Sequence, residues 1–141
     1  MKKILITGVN GFLGKHLLNT FLNNTDLYQI KKIVGIDNFI SSNKLRQLES
    51  NSKYEFIEAN LIKFDFSKIE DFDIVIHLAS LASPVYYKKF PLETIDIGTT
   101  VTRTLLEMCK RSNSRFIFFS SSEIYGNPSP SNIPTTEDYR G

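Results

Sequence analysis

A single cysteine, Cys109, is all the thiol chemistry that the 141 residues offer. No intrachain disulfide can form, and a fold stapled by disulfides is excluded. Such usage suits a reducing cytoplasm, the compartment expected for this chain. Cys109 itself sits in a helical pattern and reads as a small core residue. Long hydrophobic runs are missing too. No segment approaches the roughly 20 apolar residues of a membrane-spanning helix. The apolar stretch between Met1-Lys2-Lys3 and Thr7-Gly8 is too short for a secretory signal. Charge of one sign is also scarce: the net charge is +2. Basic pairs such as Lys31-Lys32 and Lys88-Lys89 read as solvated surface, so neither nucleic acid nor a membrane is expected as a partner. Internal repeats and low-complexity tracts are absent. What is present is ordinary for a globular domain, 41% apolar and 23% charged residues, in a chain long enough to bury one real core.

The densest signal lies between Lys3 and Asp37. An apolar run, Ile4-Leu5-Ile6, leads into Thr7-Gly8-Val9-Asn10-Gly11-Phe12-Leu13-Gly14. A helical period follows, with Leu13, Leu17, Leu18, Phe21 and Leu22 on one face. A second apolar run, Ile33-Val34-Gly35-Ile36, ends on Asp37. Strand, Gly-rich turn, helix, strand and acid make the layout of a dinucleotide-binding βαβ unit. Gly8 permits the tight turn off the strand. Gly11 leaves the backbone open to a pyrophosphate, and Gly14 lets the helix lie close on the sheet. The helix N-terminus, where Phe12 and Leu13 fall, offers unpaired N–H groups and a partial positive charge to phosphates. Asp37 can accept both hydroxyls of a ribose and would repel a 2′-phosphate, so NAD is expected over NADP. The competing reading is a βα turn that binds nothing.

Beyond Asp37, a polar loop from Asn38 and Phe39 to Asn43 would run past the adenosine half of such a cofactor, and a short helix is expected over Lys44 to Glu49. Tyr54 to Glu58 alternates as a third strand and ends at Ala59-Asn60-Leu61. Lys63 to Asp73 is a polar, aromatic-studded connection with room for a turn of helix. Asp73 to Ala79 reads as a buried fourth strand. His77 at its end reads as a hydrogen-bonded structural histidine, because no second metal ligand or catalytic partner lies nearby; no metal site is expected. After Leu78 comes Ala79-Ser80-Leu81-Ala82-Ser83, whose small residues allow a ligand close to the carboxyl edge, where open α/β sheets bind ligands. Pro91 to Arg111 is a long helix by period, with Ile95, Val101, Leu105, Leu106 and Met108 mostly inward. Arg115 to Phe119 is nearly all apolar and is expected to be a central fifth strand. It delivers Ser120-Ser121-Ser122-Glu123-Ile124-Tyr125-Gly126 to the same edge. Residues 127–141 hold three prolines and are expected to be loop. The expected fold is α/β, a Rossmann-type doubly wound parallel sheet in the order 3-2-1-4-5. Its NAD-binding domain would occupy residues 1–126.

The spacing Gly-x-x-Gly-x-x-Gly, with Thr7 before it and Phe12-Leu13-Gly14 closing it, resembles the extended short-chain dehydrogenase/reductase family. These are NAD-dependent nucleotide-sugar epimerases, dehydratases and decarboxylases. His77-Leu78-Ala79-Ser80-Leu81-Ala82-Ser83-Pro84 is similar to the His-Leu-Ala-Ser-x-Ala-Ser-Pro stretch of UDP-glucuronate decarboxylases. Ser121-Ser122-Glu123 resembles the catalytic Thr-Ser-Glu or Thr-Asp-Glu of decarboxylating and dehydrating members. The resemblance implies that the Ser121 hydroxyl bonds the sugar O4′ and that Glu123 lies near the sugar for proton handling or orientation. Without it, the same residues are a Ser-rich turn capped by a surface acid. Three positions depart from the family pattern. Asn60 replaces an Asp near the adenine amino group, although its amide oxygen can still accept that bond. Gly98 and Val101 stand where the family has Asn and Gly.

The family's base is a Tyr paired with a Lys four residues later. Only Tyr28 and Lys32 have that spacing, and they fall between the first helix and the second strand, away from the ligand edge. The resemblance therefore implies the N-terminal half of an enzyme, carrying the cofactor site with Ser121 and Glu123. Residues 127–141 would lead toward a missing half that holds the base and the uridine diphosphate. The expected function is the NAD-binding portion of a UDP-glucuronate decarboxylase, inactive alone. The complete enzyme would oxidise C4′ of UDP-glucuronate, lose CO₂ and return the hydride. Alternatives are a fragment of a nucleotide-sugar 4,6-dehydratase or 4-epimerase, or a non-catalytic truncated dinucleotide-binding protein. Complete family members are expected to be homodimers.

Overall fold

The structure is a computed structural model that describes residues 1–41 and 51–140. The expected helix over Lys44 to Glu49 lies outside the described residues. Five parallel strands form one sheet: β1 (Lys2–Thr7), β2 (Ile30–Asp37), β3 (Tyr54–Glu58), β4 (Ile74–His77) and β5 (Arg115–Phe118). Their order is β3-β2-β1-β4-β5, as the alternation of strand and helix patterns requires. The register pairs Ile4 with Ile33 and Ile74, and Thr7 with Ile36 and His77. The carboxyl ends of β1, β2 and β4 are therefore flush.

The inner strands β1, β2 and β4 carry unbroken apolar runs because both faces are covered there. Ile4, Ile6, Ile33 and Ile76 pack beneath α1 (Phe12–Asn23), through Leu18, Leu17, Phe21 and Leu22. Leu13, expected on that face, is exposed instead. On the other face Leu5, Val34, Ile36 and Val75 meet Val101, Leu105, Met108 and Cys109. Cys109 is a core residue, and burial pushes its thiol up from the ordinary value.

The long helix expected over Pro91 to Arg111 is three segments on one path. These are α3 (Pro91–Asp96), a five-residue π-turn (Ile97–Val101) and α4 (Thr102–Ser112). Val101, Leu105 and Met108 are inward as expected, but Ile95 and Leu106 are exposed. Leu92 is exposed with them. A short helix, α2 (Pro84–Lys89), was not expected. Its signal is Ser83-Pro84, a small polar cap with proline at the first helical position. β5 is the outer strand among the described residues, not a central one, and Ile117 and Phe118 are exposed. A single turn of 3₁₀-helix, Pro130–Asn132, interrupts the expected loop.

Candidate functional site: a crevice at the carboxyl edge of the sheet

Gly8 leaves β1 with φ of 71°, the left-handed region that favours glycine. A β-carbon there would lie 2.6 Å from the backbone nitrogen of Ala79, so the turn and the end of β4 touch through backbone. A β-carbon on Gly14 would overlap the Gly8 carbonyl oxygen. These two glycines let the turn, the helix and the sheet close on one another. Gly11 differs: its position is only mildly crowded, 3.2 Å from the Gly8 oxygen, and it faces the crevice. Gly11 is also the cap residue of α1, which has no side-chain cap and no acid in its first turn. The first N–H groups of α1 thus keep their affinity for an anion.

Asp37 closes the other end of this turn. Its Oδ2 accepts the Asn10 N–H at 2.9 Å and its Oδ1 accepts the Phe39 N–H at 2.9 Å. The carboxylate is held in place by backbone donors, and each oxygen retains a free lone pair. Phe39 has φ of 57° and turns its ring onto Phe56, with centroids 5.3 Å apart. Its ring is not a wall of the crevice; its N–H positions Asp37. Burial, then the Asp37 charge, pushes the Tyr54 hydroxyl up from its ordinary value. Asn60 lines the crevice, and its Oδ1 already accepts the Ile62 N–H at 3.0 Å.

The crevice runs along the whole edge. One lobe is lined by Gly8, Gly11, Asp37, Asn38, Asn60, Leu61, Leu78, Ala79 and Ser80. A second lobe, sharing the Gly-rich turn and Leu78 to Ser80, adds Phe12, Leu13, Gly14 and Ser121. The structure thus gathers every residue singled out for cofactor binding except Phe39. Glu123 is exposed and does not line the crevice; its N–H donates to the Ser121 Oγ at 3.3 Å. Reading the sequence missed most of the opposite wall, Glu93 and Ile97 in the first lobe and Tyr86 in the second; Gly98, singled out as a departure from the family pattern, lines the second lobe. The i,i+4 spacing of Glu93 and Ile97 is the signal that places both on one helix face.

His77 is 1% exposed and stands behind this wall. Its Nδ1 lies 2.6 Å from the Thr7 hydroxyl and its Nε2 lies 3.4 Å from the Ile97 carbonyl oxygen. The ring ties β1, β4 and the π-turn together. Burial holds its pKa below the ordinary value, and the Ile97 carbonyl opposes that shift. Among the described residues no group of three or more His, Cys, Asp or Glu could hold a metal, and no helix is long and apolar enough to cross a membrane.

The family model of the NAD dependent epimerase/dehydratase family matches residues 4–140. The chain belongs to that family. NAD is therefore the cofactor that goes with the crevice, as the Gly-rich turn and Asp37 led one to expect. UDP-glucuronic acid decarboxylase 1 of Arabidopsis thaliana is 35% identical over 128 residues, covering 89% of this chain and 28% of the relative. The bifunctional polymyxin resistance protein ArnA of Wigglesworthia glossinidia brevipalpis is 36% identical over 129 residues, 89% of this chain and 19% of that protein. Among solved structures, the UDP-N-acetylglucosamine 4-epimerase of Methanobrevibacter ruminantium M1 superposes with a TM-score of 0.81 and 32% identity. The match covers 99% of this chain and 43% of that one. The chain thus spans less than half the length of the relatives it matches. Two of these three, the decarboxylase and the epimerase, are named for UDP-sugars.

Proposed function

We propose that this chain is the NAD-binding portion of a UDP-glucuronate decarboxylase. The observation that carries the reading is one crevice with an uncapped helix N-terminus in its middle and a backbone-held carboxylate, Asp37, at one end. Gly8, Gly11 and Gly14 shape the turn, and the N–H groups of Phe12 and Leu13 face the pyrophosphate. Asp37 accepts the ribose hydroxyls, with Asn38 and Phe39 fixing its loop. Asn60 and Leu61 border the adenine, while Leu78, Ala79 and Ser80 let the cofactor lie against the sheet edge. When bound, NAD takes a hydride from a sugar C4′ and returns it.

In this reading Ser121, on the wall of the second lobe, donates a hydrogen bond that orients the sugar O4′. Glu123 lies two residues on and reaches the sugar only if the turn Ser122–Tyr125 reorients. No Tyr-x-x-x-Lys pair lies at this edge, so the 141-residue chain holds the cofactor without turning over substrate. The His77 to Pro84 run and the decarboxylase relatives support the decarboxylase assignment. A 4-epimerase is the second reading, favoured by the 0.81 TM-score to an epimerase.

Titration calorimetry with NAD and NADP tests the cofactor site. The chain is expected to bind NAD more tightly, because a 2′-phosphate would meet the fixed Asp37 charge. Asp37→Ser should lower the NAD/NADP ratio by about tenfold or more, equivalent to about 1.4 kcal/mol. An unchanged ratio would take Asp37 out of the role.

A further inference from the structure

The wall facing Asn60 and Leu61 comes from α3, and it carries an acid. Glu93 lines the first lobe one helical turn before Ile97. It is half-buried and has no hydrogen-bond or ion-pair partner among the described residues. Two of the other polar side chains lining this lobe, Asp37 and Asn60, are differently placed. Asp37 is held by the N–H groups of Asn10 and Phe39, and in the dinucleotide reading its remaining lone pairs go to the ribose hydroxyls. Asn60 uses its amide oxygen on the Ile62 N–H, which leaves its Nδ2 as the more available group, a donor. The lobe therefore presents an uncommitted carboxylate acceptor from α3 and an amide donor from the β3 end. Leu61 and Ile97 supply apolar surface between them. A flat heterocycle with an exocyclic amine beside a ring-nitrogen acceptor matches that pattern.

We propose that Glu93 is a specificity-determining residue that selects an aminopurine at this lobe by accepting a hydrogen bond from its exocyclic amine. The inference rests on the dinucleotide reading above. A purine with a carbonyl at the same ring position presents an oxygen to the carboxylate, lone pair against lone pair, and a ring N–H to the Asn60 donor. Both contacts turn from favourable to unfavourable.

The probe pair is NAD and nicotinamide hypoxanthine dinucleotide, which differ only in that amine. Each is titrated by calorimetry into the protein, Glu93→Gln and Glu93→Ala, with melting curves for all three. The unmodified chain should bind NAD about tenfold more tightly than the hypoxanthine analogue. Glu93→Gln can turn its amide to accept or to donate, so the two affinities should converge. Glu93→Ala should also converge, with NAD weakened. Because Glu93 is the only acid in the first turn of α3, a purely helix-stabilising role would lower the melting temperature and leave the NAD/analogue ratio alone; that result overturns the proposal. Equal affinities in the unmodified chain also overturn it while leaving the dinucleotide site intact. Binding of neither probe removes the dinucleotide reading itself, and Glu93 with it.

Discussion

At the amino ends of the strands, Lys3 and Lys32 converge on Glu70, at 2.5 and 2.7 Å, and Lys32 also reaches Glu55 at 2.6 Å. Hydrogen bonds from Lys3, then from Lys32, pull the Glu70 carboxyl down to about 2. At the carboxyl ends the pattern inverts. The N–H groups opening α1 have no side-chain cap, and Glu93 meets no cation among the described residues. The first edge satisfies its own charges and is structural. The second is left with donors and acceptors that only a ligand can complete. The same five strands thus show which end binds through polar satisfaction alone, before any motif is invoked.

That contrast breaks most sharply at the glycines. Gly14→Ala forces a methyl into the Gly8 and Val9 carbonyls and should cost roughly 3 kcal/mol or more in urea unfolding. Gly11→Val, three residues away, should keep the fold to within about 1 kcal/mol. It should lose NAD binding in calorimetry, because its side chain enters the crevice. If both variants unfold equally, Gly11 is structural and the contrast fails.

His77 comes next. His77→Leu leaves the fully buried Thr7 hydroxyl without its partner and should cost about 2 kcal/mol. Burial depresses the His77 pKa from its ordinary 6.5. Below that value the unfolded chain takes up a proton that the folded chain resists. This contribution to stability is therefore complete above about pH 6.5 and declines as the pH falls below it. His77→Leu should flatten the melting temperature between about pH 5 and 7. A slope unchanged from the unmodified chain would assign the acid sensitivity to another group.

The smallest effect belongs to the amino edge. The Glu70 pKa falls from its ordinary 4.5 to about 2, so its stabilisation is present above about pH 4.5 and fades as the pH drops toward 2. The side chain is about a third exposed, and screening reduces what the ion pairs contribute. Glu70→Gln should cost only about 1 kcal/mol at low salt and less in 1 M salt. A salt-independent loss would mean that packing, not charge, holds that edge.

The strand order and the first lobe of the crevice were legible because local signals and global layout coincide there. Gly8 and Gly14 are required by backbone contact, and Asp37 follows a strand of fixed length. The opposite wall was not legible for a physical reason. A helix period shows which residues share a face, but not whether that face meets core or ligand, so Glu93 and Ile97 looked like any half-polar turn. The same limit merged Ile95 and Leu106 with the core stripe. Apolar content alone put β5 at the centre of the sheet, yet hydrophobicity reports that a face can be covered, not where the strand stands. Ser121 was placed correctly at the edge. Glu123, two residues on, turned outward because the chain there enters a 3₁₀ turn and not an extended strand.

The π-turn Ile97–Val101 makes the helix out of phase with itself. One extra residue in a single turn rotates everything after it by about 100° relative to everything before it. Upstream, Glu93 and Ile97 look into the crevice; downstream, Leu105 and Met108 look into the core. The Ile97 carbonyl at the junction accepts the Thr102 hydroxyl at 3.1 Å and lies 3.4 Å from His77 Nε2, so the offset is clamped from two directions. Deleting Gly98 would remove the extra residue of the π-turn and give a more regular helix. The two halves could then no longer keep their separate bearings, and with Leu105 and Met108 anchored in the core, Glu93 would swing away from the crevice.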